Sequence, residues 1–190
     1  MKYILSVALI FALFLACGKD SPTEPEDNTP TEDSSFFFPL KTGNIWYYYE
    51  AGNSEATQSI RVWETFTLDD TTYFLYGNKQ SFADTLHQDK WGRVYQRFGG
   101  KNLLWLDFSA KDGSTYEYTL SEKLNFTVTV TRAQTLEYDG QKFEGCIQFD
   151  FDVPDLTTDE ETWILAPDLG VVQHITAWST KFLKSWELQE

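Results

Sequence analysis

Few residues in this 190-residue chain have the type and spacing to do chemistry. The two histidines, His87 and His174, stand far apart, each inside a stretch that reads as a strand. A zinc site draws several His, Cys or carboxylate ligands at short spacing, and neither histidine has that pattern. A Ser-His-Asp triad can be built from distant residues, but there is no Gly-x-Ser-x-Gly elbow and no glycine-rich phosphate loop. The densest polar stretch runs from Asp150 to Glu161 and reads as a solvated acidic loop. Asp150, Asp152 and Asp155 are the oxygen donors a Ca²⁺ ion would take, although the spacing is not that of an EF-hand. A carboxylate pair for glycoside hydrolysis could be drawn from the same run. The aromatic surplus is more informative. Trp63 shares its strand face with Ser59, Arg61, Thr65 and Thr67, and Tyr95 sits between Arg93 and Arg97. An aromatic among polar neighbours can stack on a sugar or line an apolar cavity. Trp63, Tyr95, Arg93 and Arg97 are therefore the ligand-binding candidates. No catalytic residue, resident metal or cofactor is predicted.

Those candidates sit behind an export signal. Lys2 opens a short basic region, and Ile4 to Ala16 carries no charge. A helix over that run spans about 20 Å, short of a ~30 Å hydrocarbon core, so it reads as a signal-peptide core rather than a membrane span. It ends in Phe14-Leu15-Ala16-Cys17-Gly18, which resembles the lipobox of bacterial lipoproteins, with Phe14 where that family usually has Leu. The resemblance implies cleavage after Ala16 and a covalent N-terminal lipid, including palmitate, on Cys17. Several acyl chains at ~0.8 kcal/mol per buried methylene make such an anchor effectively permanent. In family terms, the absence of Asp after the cysteine favours the outer membrane, with the protein facing the periplasm or the cell surface. Residues 17–35 hold half of the prolines, six acids and no aliphatic or aromatic residue after Cys17. Such a segment has too little apolar surface to fold and reads as an extended tether.

Residues 36–190 are long enough to bury about 70% of their unfolded surface as one domain. Cys146 is left without a partner if Cys17 is acylated, so no disulfide is expected. The whole chain carries −14; residues 36–190 hold 13 bases against 23 acids, a net of −10. With no Lys/Arg cluster in the sequence, nucleic-acid binding is not expected, and the membrane is reached through the anchor alone.

The periodicity is that of strands. Leu124, Phe126, Val128 and Val130 alternate with Asn125, Thr127, Thr129 and Thr131. The strand continues to Tyr138, where Asp139-Gly140 gives a hairpin turn needing positive φ. The return strand sets Phe143, Ile147, Phe149 and Phe151 against Glu144, Cys146, Gln148 and Asp150. Ser59–Leu68 groups Ile60, Val62, Phe66 and Leu68 before a turn at Asp69-Asp70. Further strands are expected over Ile45–Glu50, Thr72–Tyr76, Asp84–Lys90, Arg93–Phe98, Asn102–Phe108, Ser114–Thr119, Thr162–Leu165, Val171–Ala177 and Lys181–Leu188. No window has a sustained helical period with caps. The fold class is all-β: an antiparallel meander of about 10–11 strands, curled into a barrel, half-barrel or two-layer sandwich.

Phe38-Pro39-Leu40-Lys41-Thr42-Gly43-Asn44-Ile45-Trp46-Tyr47-Tyr48 resembles the opening of a broad group of uncharacterised bacterial lipoproteins and secreted β domains. Asp107 to Gly113, Phe143-Glu144-Gly145-Cys146 and Ala166 to Val172 resemble later segments of that group. The resemblance implies a curved antiparallel β fold and no established activity. Pro39 and Gly43 would shape the first turn, and Trp46 would plug one end of the core. The expected function is that of a non-catalytic, monomeric envelope module binding a lipid, glycan or protein. The alternatives are a hydrophobic-ligand carrier using a concave aromatic face and an envelope glycan hydrolase.

Overall fold

The computed structural model describes residues 37–121, 124–154 and 156–190. The signal over 1–16, Cys17, the tether over 17–35 and Asp155 lie outside the described residues. Twelve strands make one antiparallel sheet: β1 (Ile45–Glu50), β2 (Gln58–Leu68), β3 (Thr71–Gly77), β4 (Asp84–Gln88), β5 (Val94–Phe98), β6 (Lys101–Leu106), β7 (Thr115–Ser121), β8 (Leu124–Tyr138), β9 (Gln141–Val153), β10 (Leu156–Ala166), β11 (Gly170–Thr176) and β12 (Thr180–Glu187). Among the described residues a single 3₁₀ turn, Gln80–Phe82, interrupts them. The spatial order is β6-β5-β4-β3-β2-β1-β12-β11-β10-β9-β8-β7. The meander thus curls until its first and last strands pair, giving a nearly closed barrel.

The one seam lies between β6 and β7, which follow each other in sequence but share no ladder. Their connection is not a hairpin turn because β8 holds it. Arg132 donates from Nη1 to the carbonyls of Phe108 (2.8 Å) and Ala110 (3.1 Å), and its N–H donates to Asp112 (2.7 Å). Side chains span the seam instead: the Tyr116 hydroxyl donates to the Trp105 carbonyl at 2.6 Å, and that of Tyr118 to Gln96.

The short segment before β1 stoppers the barrel end at which β1 begins. Phe38 is fully buried, with its ring against Tyr76 (5.1 Å), Trp105 (6.0 Å) and Trp46 (6.3 Å). Phe37 stacks on Phe108 at 5.3 Å. Trp46 is also fully buried and donates from Nε1 to the Leu169 carbonyl at 2.6 Å. Gly170 lies against this plug at φ +91, where a Cβ would meet the Phe38 ring at 3.2 Å. The stopper is therefore Phe38 with Trp46, not Trp46 alone.

β8 and β9 outrun the barrel wall. Register shifts between Thr131 and Leu136, with Ala133 at φ 56 and Gly145 at φ 66, bend their shared hairpin. Its tip folds over β11 and β12, where ladder pairing stops at Gln173 and Phe182. Tyr138 packs at a tilt against Phe182 (4.8 Å), and its hydroxyl reaches the carbonyls of Val172 (2.8 Å) and Leu183 (3.1 Å). The Tyr48 hydroxyl donates to the neighbouring Val171 carbonyl at 2.8 Å. Two phenols thus satisfy backbone groups that the splayed strands leave unpaired.

Three expectations change. Phe66 and Leu68 do not share a face with Ile60 and Val62. A bulge between Val62 and Thr65 flips the second half of β2, leaving Phe66 and Leu68 partly exposed. Cys146 is not on the polar face of β9, because the bend at Gly145 turns it inward to full burial. The acidic run from Asp150 is not a loop. Most of it forms the end of β9 and the start of β10.

Candidate functional site

The β2 bulge creates the outer face on which most of the sequence candidates meet. Beyond it, Phe66 opposes Tyr73, and β4 and β5 bring His87 and Tyr95 alongside. The rings follow one another at 5.6 Å (Phe66–Tyr73), 5.8 Å (Tyr73–His87) and 5.9 Å (His87–Tyr95). They form a ladder across four strands of the kind that cross-strand aromatic pairs stabilise. Tyr73 is buried at its centre, outside the barrel core, while Phe66 at its edge is 37% exposed.

Two arginines flank the ladder on β5 and on the turn before it. Asp89 organises that turn: its carboxylate accepts from the N–H groups of Trp91 (2.9 Å) and Arg93 (3.0 Å) and from Arg93 Nε (2.7 Å). Arg93 is thus ion-paired, and its guanidinium lies over the rings of Trp91 (4.9 Å) and Tyr95 (5.9 Å). Arg97 differs. It lies over Tyr73 at 5.4 Å and donates to the Tyr73 hydroxyl at 3.3 Å, and among the described residues it has no carboxylate partner. Asn102 of β6 completes the cluster by donating to the same hydroxyl at 3.0 Å. Burial raises the Tyr95 phenol above its ordinary value despite the cation beside it.

The structure therefore brings Tyr95, Arg93 and Arg97 together and leaves Trp63 apart. Trp63 lies within the bulge, under Arg61 (4.7 Å), with Nε1 donating to the Gly77 carbonyl at 2.9 Å. Sequence reasoning missed Phe66, Tyr73, His87 and Asn102. The hairpins were legible, and pairing them in register would have aligned the rings, but only once the β2 bulge was known.

A second polar group faces the barrel interior at the end opposite the plug. Asp84 pairs with Tyr76 across β3 and β4, Gln96 with Leu86, and Glu161 with Phe151, which puts all three on the inner side. Gln96 donates to Asp84 at 2.7 Å. His174 stacks on Trp163 at 3.6 Å and meets Glu161 at 3.0 Å. Solvent reaches this mouth: the side chains of Glu161 and His174 are 28% and 16% exposed. Burial raises the Asp84 carboxyl, Gln96 opposes that shift, and the Glu161 charge adds to it.

No protein-family model matches the chain, and no curated protein does. Among solved structures it is similar to a protein of Bacteroides fragilis classed as exported and having a YmcC-like fold. The TM-score is 0.43 at 12% identity, covering 81% of this chain and 100% of that one. It is also similar to a protein of Parabacteroides distasonis classed as a lipoprotein, at TM-score 0.38 and 14% identity, covering 80% and 99%.

Of the calcium candidates, Asp155 lies outside the described residues. Asp150 accepts from Gln148 Nε2 (2.8 Å) and Thr162 Oγ1 (2.7 Å), while Asp152 is exposed opposite Thr127. Among the described residues, no three His, Cys, Asp or Glu side chains are grouped to hold a metal.

Proposed function

We propose that this chain is a non-catalytic binding module of the bacterial cell envelope. In this reading it is anchored in the outer membrane by lipid on Cys17 and takes a glycan on the outer face of β2–β6. The carrying observation is the Phe66–Tyr73–His87–Tyr95 ladder with Arg97 beside it, which has no carboxylate partner among the described residues. Aromatic faces stack on the apolar faces of sugar rings, and a guanidinium adds directed donors at their rim. The lipobox-like Phe14 to Gly18 supports the anchor.

Native mass spectrometry of the protein purified from its host membranes tests the ligand. An adduct spaced by sugar repeats is expected, and it is lost on Tyr95→Ala. A clean protein that also ignores a panel of envelope polysaccharides refutes the reading. For the anchor, Cys17→Ser is expected to abolish palmitate labelling and release the protein from membranes.

The mouth favours glycan hydrolysis as a second reading. Asp84, held protonated to higher pH, and Glu161 both face it, as an acid and a base or nucleophile would. Release of reducing ends, lost in Glu161→Gln, would establish that activity in place of simple binding.

A further inference from the structure

The barrel is segregated by charge. Residues 58–106, which form β2–β6, hold six bases and five acids, a net of +1. Residues 107–190, which form β7–β12, hold six bases and sixteen acids, a net of −10. Because β2–β6 are contiguous in the sheet, the two groups occupy opposite arcs of the barrel rather than alternating around it. The acidic arc repels polyanions, and the ladder arc is where one can approach.

Two of the five acids on the ladder arc are discounted, leaving Glu64, Asp69 and Asp70 exposed on β2 and the turn after it. Asp89 is bound to Arg93, and Asp84 faces the interior. Among the described residues Arg97, near the end of β5, has no carboxylate partner, and Lys90, over Trp91 at 4.3 Å, adds a second cation on the turn before β5. An unneutralised guanidinium beside aromatic rings suits a ligand that is flat, hydroxylated and anionic: a carboxylate can take Arg97 in the two-pronged geometry guanidinium favours while the sugar ring lies on Tyr95 or Phe66.

We infer that the β2–β6 face binds an acidic polysaccharide, one whose pyranose rings carry carboxylates. This rests on the glycan reading above and goes beyond it in assigning the ligand's charge. A neutral glucan gives Arg97 no counter-charge, and a lipid phosphate has no ring for the ladder.

The test uses the lipidated chain in phosphatidylcholine nanodiscs, titrated calorimetrically with polygalacturonate, with dextran of matched length, and with vesicles containing phosphatidylglycerol. Binding to polygalacturonate alone is expected, weakening as salt rises. Arg97→Gln should lower affinity roughly 10- to 100-fold, the factor for one charge-assisted contact. Tyr95→Ala should do the same, and Lys181→Gln on β12 should have no effect. Urea midpoints check that Arg97→Gln remains folded, since Arg97 also holds Tyr73; Lys90→Gln, away from that contact, should still lower affinity. Dextran binding as tight as polygalacturonate, unchanged in Arg97→Gln and Lys90→Gln, overturns the acidic assignment while leaving a glycan ligand standing. Equal binding to the anionic vesicles overturns it in favour of a membrane surface. No binding to either polymer overturns both readings.

Discussion

Phe38→Ala probes the plug most directly. The residue has no exposed surface and its ring meets three others, Tyr76, Trp105 and Trp46, with Gly170 lying against it. Truncating a buried Phe to Ala costs about 3–5 kcal/mol. Each aromatic pair adds roughly 0.5–1.5 kcal/mol beyond area burial, which moves the expectation to the upper half of that range. Gly170 cannot close the space, because it has no side chain to swing inward. A typical domain has only about 5–15 kcal/mol to lose. With a urea slope of about 2 kcal/mol per molar, the unfolding midpoint should fall by about 2 M. Tryptophan fluorescence of the chain from Gly18 onward reads this well, since Trp46 and Trp105 both touch the deleted ring. Phe82→Ala, at a site 80% exposed, serves as the control and should stay within about 0.3 M of the parent. If Phe38→Ala also stays within that margin, the segment before β1 is a passive flap and the reasoning about the stoppered end is wrong.

Tyr138→Phe leaves the carbonyls of Val172 and Leu183 without their phenol donor, and should cost about 1–3 kcal/mol in the same assay with little change of slope. Asp84 has a raised carboxyl in the fold, so the folded chain holds that proton to higher pH than the unfolded chain, and stability falls as pH climbs through the interval between the two. Asp84→Asn, which still accepts from Gln96, should therefore be more stable than the parent near neutrality, with the advantage vanishing below the ordinary carboxylate range; a constant difference across pH would contradict this. Burial pushes the Cys146 thiol up, so native protein should resist iodoacetamide at pH 8 and react only once unfolded.

Much of the architecture was legible because alternation is a local signal. Phe126, Val128 and Val130 point inward as their spacing demands, and Asp139-Gly140 takes φ 49 and 74 as a two-residue hairpin turn should. Asp69-Asp70 does the same at φ 49 and 60. Twelve strands formed where ten or eleven were expected. What stayed hidden was set by irregularities that alternation cannot announce. A bulge after Val62 carries no residue signature, yet it decides that Phe66 joins Tyr73 outside rather than Val62 inside. Gly145 was visible, but not that the chain would bend there to cover β11 and β12. The ladder was half legible: Arg93, Tyr95 and Arg97 lie on one short strand and its preceding turn, whereas Phe66, Tyr73 and His87 arrive from other strands. The mouth was illegible, since Asp84 on β4 and Glu161 on β10 come to face one interior only through the curling of the sheet.

Because the ring is sealed by its first and last strands rather than by neighbours in sequence, its assembly has a fixed order. Residues 45–50 can pair on one side as soon as β2 exists, but their other edge waits for residues 180–187. A chain emerging from its N-terminus therefore carries an unpaired, aromatic-rich edge until residues 180–187 are free. Such edges invite pairing with other chains, and closing so distant a contact is slow. A newly delivered molecule is thus most vulnerable to aggregation until that strand arrives, the interval in which a holding chaperone would matter most.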